Sequence, residues 1–252
     1  MPAHELNAVD LGLDHGDALA LLACADLEVQ GRMPWSSNAT FLVDLDRDER
    51  TVAQAVYKPQ RGERPLWDFP NGLYRREVAA YRLWAHLGWS GVIGGGGVPP
   101  TIVREGPYGL GSLQLFIPSD FEQHYFNLFE QRADLHEQLR AICVFDLLAN
   151  NTDRKGGHCL LGHDGHVWAI DNGLCFASPF KLRTVIWEFA GDPLPEPLVP
   201  AVAALAAGVP DTVAELLADD EIEALTARAA ELAADPHFPE DPTGRRYPWP
   251  LV

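Results

Sequence analysis

Apolar positions change their spacing several times along the chain, and each change marks an element. Residues 16–30, GDALALLACADLEVQ, hold an Ala/Leu run that predicts a short helix. Residues 31–57 predict a β-hairpin: Thr40-Phe41-Leu42-Val43 as one strand, Asp44–Arg50 as a polar turn, Thr51–Tyr57 as the return. Over 73–87, LYRREVAAYRLWAHL, Leu73, Glu77, Tyr81 and Trp84 recur at spacings of four, four and three, which is one stripe of an amphipathic helix. Residues 88–112 are rich in turn formers. Gly94–Gly97 contain no GxGxxG pattern and read as a flexible loop. Thr101-Ile102-Val103 and Gly111–Ile117 complete a first sheet, and Pro118-Ser119-Asp120 reads as a crossing into a second lobe. From 121 the pattern turns helical, with Leu135, Leu139, Ile142, Cys143 and Leu147 on one helix. Asp146 falls on its buried side, placed to bond the loop that follows. Residues 198–234 are helical with a break at Gly208-Val209-Pro210 and an N-cap at Asp211; residues 235–252 form a Pro-rich extended tail. The predicted architecture is α+β and two-lobed, with residues 1–116 as a β-rich N-lobe and 117–252 as a mainly helical C-lobe.

The most informative stretch is 145–176, FDLLANNTDRKGGHCLLGHDGHVWAIDNGLCF. His158–Leu161 and His166–Ile170 flank Gly162-His163-Asp164-Gly165, a turn signal, so the segment predicts a second hairpin. Its two ends carry Asn150-Asn151-Thr152-Asp153-Arg154 and Asp171-Asn172-Gly173. A hairpin brings its ends together, so Asp153 and Asp171 become neighbours. Either alone reads as a cap or a turn residue. Two carboxylates, an Asn and a His at one mouth suit phosphoryl transfer, where one group orients a hydroxyl and others hold a divalent cation.

The first lobe offers a matching pair. Glu77 lies on the apolar stripe of its helix, and a carboxylate facing a core needs a cation. Lys58, at the end of the preceding strand, is the natural candidate. Ser36, Ser37 and Asn38 could wrap phosphates through backbone N–H groups and side chains, although most such stretches are plain turns.

Composition narrows the class. The chain of 252 residues is 47% hydrophobic and 10% aromatic, enough for a sizeable core. No apolar run reaches membrane-spanning length, and MPAHELNAVD lacks the pattern of a secretory signal. Cys24, Cys143, Cys159 and Cys175 show no CxxC spacing and read as reduced core cysteines, which predicts a cytoplasmic protein. A net charge of −17 argues against nucleic acid and against constitutive docking on an anionic membrane. Against this acidic background, Lys58, Arg61, Arg64, Arg75 and Arg76 cluster in sequence, and Arg154, Lys155, Lys181 and Arg183 bracket the central stretch. A basic site on an acidic body suits an anionic ligand such as a nucleotide.

At NNTDRKGG…AIDNGLCF the sequence resembles the type II phosphatidylinositol 4-kinases, within the wider phosphatidylinositol 3- and 4-kinase-like family. Their catalytic loop reads NTDRGNDN and their metal-binding segment AIDNGLAF. Gly111–Phe126 looks like the family's inter-lobe segment, and Val56-Tyr57-Lys58-Pro59 like its nucleotide-binding lysine strand. The blocks keep their order from about residue 31 to 190, as in the small actinobacterial branch of this superfamily. The resemblance implies a protein-kinase-like fold that uses ATP with Mg2+ or Mn2+. It implies Asp153 as the catalytic aspartate, Asp171 as a metal ligand, and Lys58, partnered by Glu77, on the α/β-phosphates. Ser36, Ser37 and Asn38 would form the phosphate loop, and the backbone of Gln114, Leu115, Phe116 and Ile117 would bind adenine. Where the family places a second metal-ligating Asn, this chain has His158, whose imidazole favours a softer ion such as manganese. The lipidated Cys-rich segment of membrane-bound members has no counterpart, which adds to the case against stable membrane anchoring.

The sequence therefore predicts transfer of the γ-phosphate to an alcohol on a soluble inositol-like compound, a lipid headgroup or a protein Ser/Thr. Lys181 and Arg183, in the loop Ser178–Arg183, suggest an anionic acceptor. Transfer of AMP to a protein, or a non-catalytic nucleotide-binding regulatory module, are the alternatives.

Overall fold

In the computed structural model, residues 15–34 and 36–252 are described, His15 by its backbone only. The first elements are α1 (His15–Cys24) and strands β1 (Asp26–Arg32), β2 (Phe41–Arg47) and β3 (Arg50–Pro59), followed by α2 (Leu73–Leu87) and α3 (Trp89–Ile93). Strands β4 (Thr101–Gly106), β5 (Gly109–Leu115) and β6 (Ser119–His124) come next, then α4 (Tyr125–Gln131) and α5 (His136–Ala149). The chain finishes with β7 (Cys159–Gly162), β8 (Val167–Ala169), α6 (Val199–Ala207), α7 (Asp211–Ala214) and α8 (Asp219–Ala234). It divides into two compact units, one of residues up to Val78 with Pro99–Pro118, the other of Ala79–Val98 with Ser119–Val252. The result is a mixed α+β protein, sheet-rich early and helix-rich late.

The first unit is built on a five-stranded antiparallel sheet in the order β1-β2-β3-β5-β4. Val43 pairs with Ala55 and Leu45 with Ala53, and all four are buried. Period-two alternation on β3 sends Ala53, Ala55 and Tyr57 to that face and Lys58 to the other. The helix predicted over 16–30 ends at Cys24. Arg104 of β4 donates to the Leu22 and Ala25 carbonyls, which satisfies acceptors that a helix end leaves orphaned. The chain then becomes β1 and pairs with β2 from Asp26↔Asp46 to Arg32↔Phe41. Sheet pairing outweighs the helical preference of Leu27 and Glu28.

The second unit holds the antiparallel sheet β6-β7-β8. Its β7–β8 hairpin registers Cys159↔Ala169, Leu160↔Trp168 and Leu161↔Val167, in the place the turn signal predicts. Helix α5 is the core of this unit. Leu139, Ile142, Phe145 and Leu148 are fully buried, each stabilising the fold by about 1.5–3 kcal/mol.

Several expectations are corrected here. The loop expected over 88–112 contains α3, and Gly97 is locked into the structure. Its N–H donates to the Val167 carbonyl, its own carbonyl accepts from Ala169, and a Cβ there would lie 1.9 Å from the Trp84 ring. The expected crossing at 118–120 runs into β6, so the helical region starts at Tyr125 rather than 121. Asp211 is the first residue of α7, after Pro210 at the cap position. Cys143, Cys159 and Cys175 are buried thiols, whereas Cys24 is exposed. Among the described residues no helix is long and apolar enough to cross a membrane.

Candidate functional site

In the first unit, Lys58 Nζ is paired with the Glu77 carboxylate. Glu77 is almost wholly buried, and a lone carboxylate there would be costly. The start of α2 is fixed by Glu63, whose two carboxylate oxygens each accept at 2.8 Å from the N–H groups of Gly72 and Tyr74. An anion at a helix N-terminus satisfies orphan donors and complements the helix dipole. Strand β3 and this anchored helix thus hold the two charges together.

Residues Ser36, Ser37 and Asn38 lie between β1 and β2, not ahead of the first strand, because β1 was hidden in the helical-looking segment. The Ser36 hydroxyl is 2.7 Å from Thr40 Oγ1. The Asn38 side-chain carbonyl accepts from the Arg64 N–H at 2.9 Å, and Ala39 N–H donates to Gly62. Ser37 is exposed. At the end of β5, the Leu115 N–H donates to Pro100, the Phe116 N–H to Gln54, and the Gln114 side chain to Thr101 Oγ1. Ile117 is buried.

In the second unit, the β7–β8 hairpin brings together the two clusters at its ends. His158 accepts from the Ile170 N–H at 2.9 Å through its carbonyl. Its Nδ1 lies 2.9 Å from the Asp153 carbonyl, and its Nε2 lies 3.5 Å from Asp171 Oδ2. A carbonyl oxygen only accepts, so Nδ1 carries a proton and donates to Asp153. Lys155 Nζ sits 3.0 Å from Asp153 Oδ2. Burial pushes the Asp153 carboxyl above its ordinary value; the Lys155 ammonium opposes this and the Asp171 charge adds to it. Asp171 is about half exposed and adopts a left-handed backbone, φ 57°.

Beneath this pair lies a network that the sequence reading missed. Arg154, grouped above with the ligand-facing cations, has no solvent exposure. Its guanidinium forks onto both Asp146 oxygens at 3.0–3.2 Å, donates to the Ile170 carbonyl at 2.8 Å and to Asn172 Oδ1 at 2.6 Å. Asn151 donates to Asp146 Oδ1 and accepts from the Asp153 N–H. Asp146 on α5 therefore plays the structural part its buried position suggests, and one arginine joins the residue after Asp153 to the residue after Asp171. No signal in the sequence marks it, because Asp146 and Asn172 reach Arg154 only in the folded chain.

Among the described residues no cluster of three or more His, Cys, Asp or Glu side chains could hold a metal by itself. Asp171 with His158 offers one carboxylate and one imidazole nitrogen. That set fits a divalent ion whose remaining ligands are phosphate oxygens and water.

Residues 102–216 match the family described as Phosphatidylinositol 3- and 4-kinase. The chain is 40% identical over 271 residues to Protein Rv2133c of Mycobacterium tuberculosis (strain ATCC 25618 / H37Rv), across 93% of this chain and 95% of that protein. Among solved structures, the Golgi casein kinase with Mn/ADP bound aligns with a TM-score of 0.56 at 17% identity, covering 94% of this chain and 80% of that one. Hydra Fam20 with sugar aligns with a TM-score of 0.54 at 14% identity, covering 91% and 94%. At such identities these structures establish a shared kinase-like fold.

Proposed function

Because the chain belongs to the phosphatidylinositol 3- and 4-kinase-like family, we propose that it is an ATP-dependent phosphotransferase acting on an alcohol. The observation that carries this reading is the convergence of Asp153, Lys155, His158 and Asp171 at the ends of one hairpin. In this reading the acceptor hydroxyl gives its proton to Asp153 while its oxygen bonds the γ-phosphorus. The bond from that phosphorus to the bridging oxygen breaks and ADP leaves. Asp171 and His158 hold a divalent ion, which neutralises phosphate charge when bound. The Golgi casein kinase structure, with Mn/ADP bound, supports nucleotide and metal as the ligand class.

Lys58, held by Glu77, binds the α/β-phosphates, and Lys155 adds positive charge beside Asp153. Ser37 and the backbone of the 36–38 loop contact phosphate, while the Ser36 hydroxyl and the Asn38 amide carbonyl keep that loop in shape. An adenine edge read at Leu115 and Phe116 meets their carbonyls, because both N–H groups are engaged within the first unit. The acceptor loop is Ser178–Arg183, where exposed Arg183 and half-buried Lys181 favour an anionic alcohol.

The test is a thermal-shift titration with ATP and either Mn2+ or Mg2+, on wild type and Asp171→Asn. Saturation at 100 times Kd stabilises the folded state by about 2.7 kcal/mol. The expected result is a metal-dependent rise in Tm that Asp171→Asn loses. No rise with either metal would remove the nucleotide site. Label recovered on an acceptor from the γ-phosphate supports a kinase, and α-phosphate label with adenosine supports AMP transfer instead.

A further inference from the structure

The turn that carries the candidate catalytic residues contains two adjacent glycines, Gly156 and Gly157, and its outer side is met by a distant segment. The Gly156 N–H donates to the Leu251 carbonyl at 2.7 Å. A Cβ at Gly156 would lie 2.9 Å from the Phe126 ring and 3.4 Å from the Leu251 oxygen, and one at Gly157 would lie 3.7 Å from the Val252 side chain. The inner side is closed by the turn itself, through His158 Nδ1 on the Asp153 carbonyl and the His158 N–H on Lys155. Without Leu251, the N–H of buried Gly156 would lose its backbone partner, and two glycines offer little stiffness of their own.

The same segment is anchored elsewhere in this unit. The Arg246 carbonyl accepts from the Thr184 N–H at 3.1 Å and from Trp187 Nε1 at 3.2 Å. The Arg246 N–H donates to Asp241 Oδ2 at 2.9 Å, and its guanidinium lies 4.9 Å from the centre of the Phe180 ring. Residues 183–185 in turn pair with Asn151 and Arg154 through backbone hydrogen bonds of 2.9–3.0 Å. The segment thus ties the loop after Asp171 to the turn after Asp153.

We propose that residues 246–252 form a built-in strap that positions the 154–158 turn, and through it Asp153 and His158, for the reaction. Leu251 acts as a positioning residue by its backbone carbonyl. The effect on turnover rests on the phosphotransferase reading; the mechanical effect on the turn does not.

The experiment uses the protein as it stands and a variant lacking Trp249–Val252, which keeps the Arg246 anchors. Amide hydrogen exchange across 154–158 is expected to rise about tenfold in the variant, the loss of one hydrogen bond, while exchange in α5 stays unchanged. Turnover, measured as ATP hydrolysis or transfer, is expected to fall in kcat with KM for ATP unchanged. Unchanged exchange at 154–158 would overturn the strap. Raised exchange with full kcat would overturn its positioning role. Raised exchange in the variant, with a wild type that turns over no ATP, would support the strap and count against the phosphotransferase reading alone. Should the deletion fail to fold, the double substitution Leu251→Gly and Val252→Gly loosens the strap at constant length, and the same exchange readout applies.

Discussion

Arg154 and Asp146 form a forked ion pair with no solvent exposure on either side chain, joining α5 to the loop that bears Asp153. Burial pushes the Asp146 carboxyl up even against the arginine, so the pair persists because each charge is held by several further hydrogen bonds. Removing one partner strands the other. Asp146→Ala is expected to cost about 3–5 kcal/mol, read as a lowered urea midpoint. The double change Asp146→Leu with Arg154→Met should cost less than the two single changes summed. A single-variant loss below about 1 kcal/mol would remove the pair from the fold's supports.

Glu77→Gln keeps the shape of the side chain and removes the charge that holds Lys58. A hydrogen bond between charged groups contributes about 1.5–3 kcal/mol, so ATP affinity should drop by roughly tenfold to a hundredfold. Isothermal titration on wild type and variant decides it. Equal affinity would mean that Lys58 reaches phosphate unaided.

The Asp153 carboxyl is raised, first by burial, with Lys155 opposing the shift. The proposed role needs the ionised form, so the acid limb of the kcat/KM profile should lie above the ordinary carboxylate range. Lys155→Met removes the opposing cation and should move that limb to still higher pH; a limb that stays put would separate Lys155 from Asp153. The stability consequence has the opposite sign to that of a salt-bridged acid. A folded-state value above the unfolded one favours the fold when the group is protonated, and this contribution is lost as pH rises through the folded value. Asp153→Asn should therefore be inactive yet more stable than wild type near neutral pH, with the difference vanishing in acid.

His158 presents an imidazole nitrogen 3.5 Å from Asp171. His158→Asn should lower the ratio of Mn2+-supported to Mg2+-supported nucleotide binding, since magnesium prefers oxygen donors. Thermal shifts with each metal give the ratio. An unchanged ratio would take residue 158 out of the metal shell.

The elements that were legible in the sequence are those whose period is strong. The stripe Leu73, Glu77, Tyr81 and Trp84 marks α2 over its whole length, Leu73–Leu87. The Gly162–Gly165 turn between apolar runs marks the β7–β8 hairpin. Strands β1 and β6 were hidden because DLEVQGR and SDFEQH are polar and mostly exposed, and only their pairing with β2 and β7 makes them strands. Arg154 was misread for a related reason. A charged residue between Asp153 and Lys155 reads as a cation open to an anionic ligand, and its burial depends on Asp146 and Asn172, which only the tertiary fold brings to it.

The left-handed backbone at Asp171 bears on how any substitution series there is read. Asn and Gly accept a φ of 57° readily, whereas Ala and β-branched residues pay about 1 kcal/mol or more in strain before any chemistry is tested. In a saturation library scored for protein abundance, position 171 should tolerate Asp, Asn and Gly and reject Val and Ile. Scored for turnover, Asp alone should survive. The contrast between Asp and Asn then isolates the charge, and the contrast between Asn and Val isolates the fold.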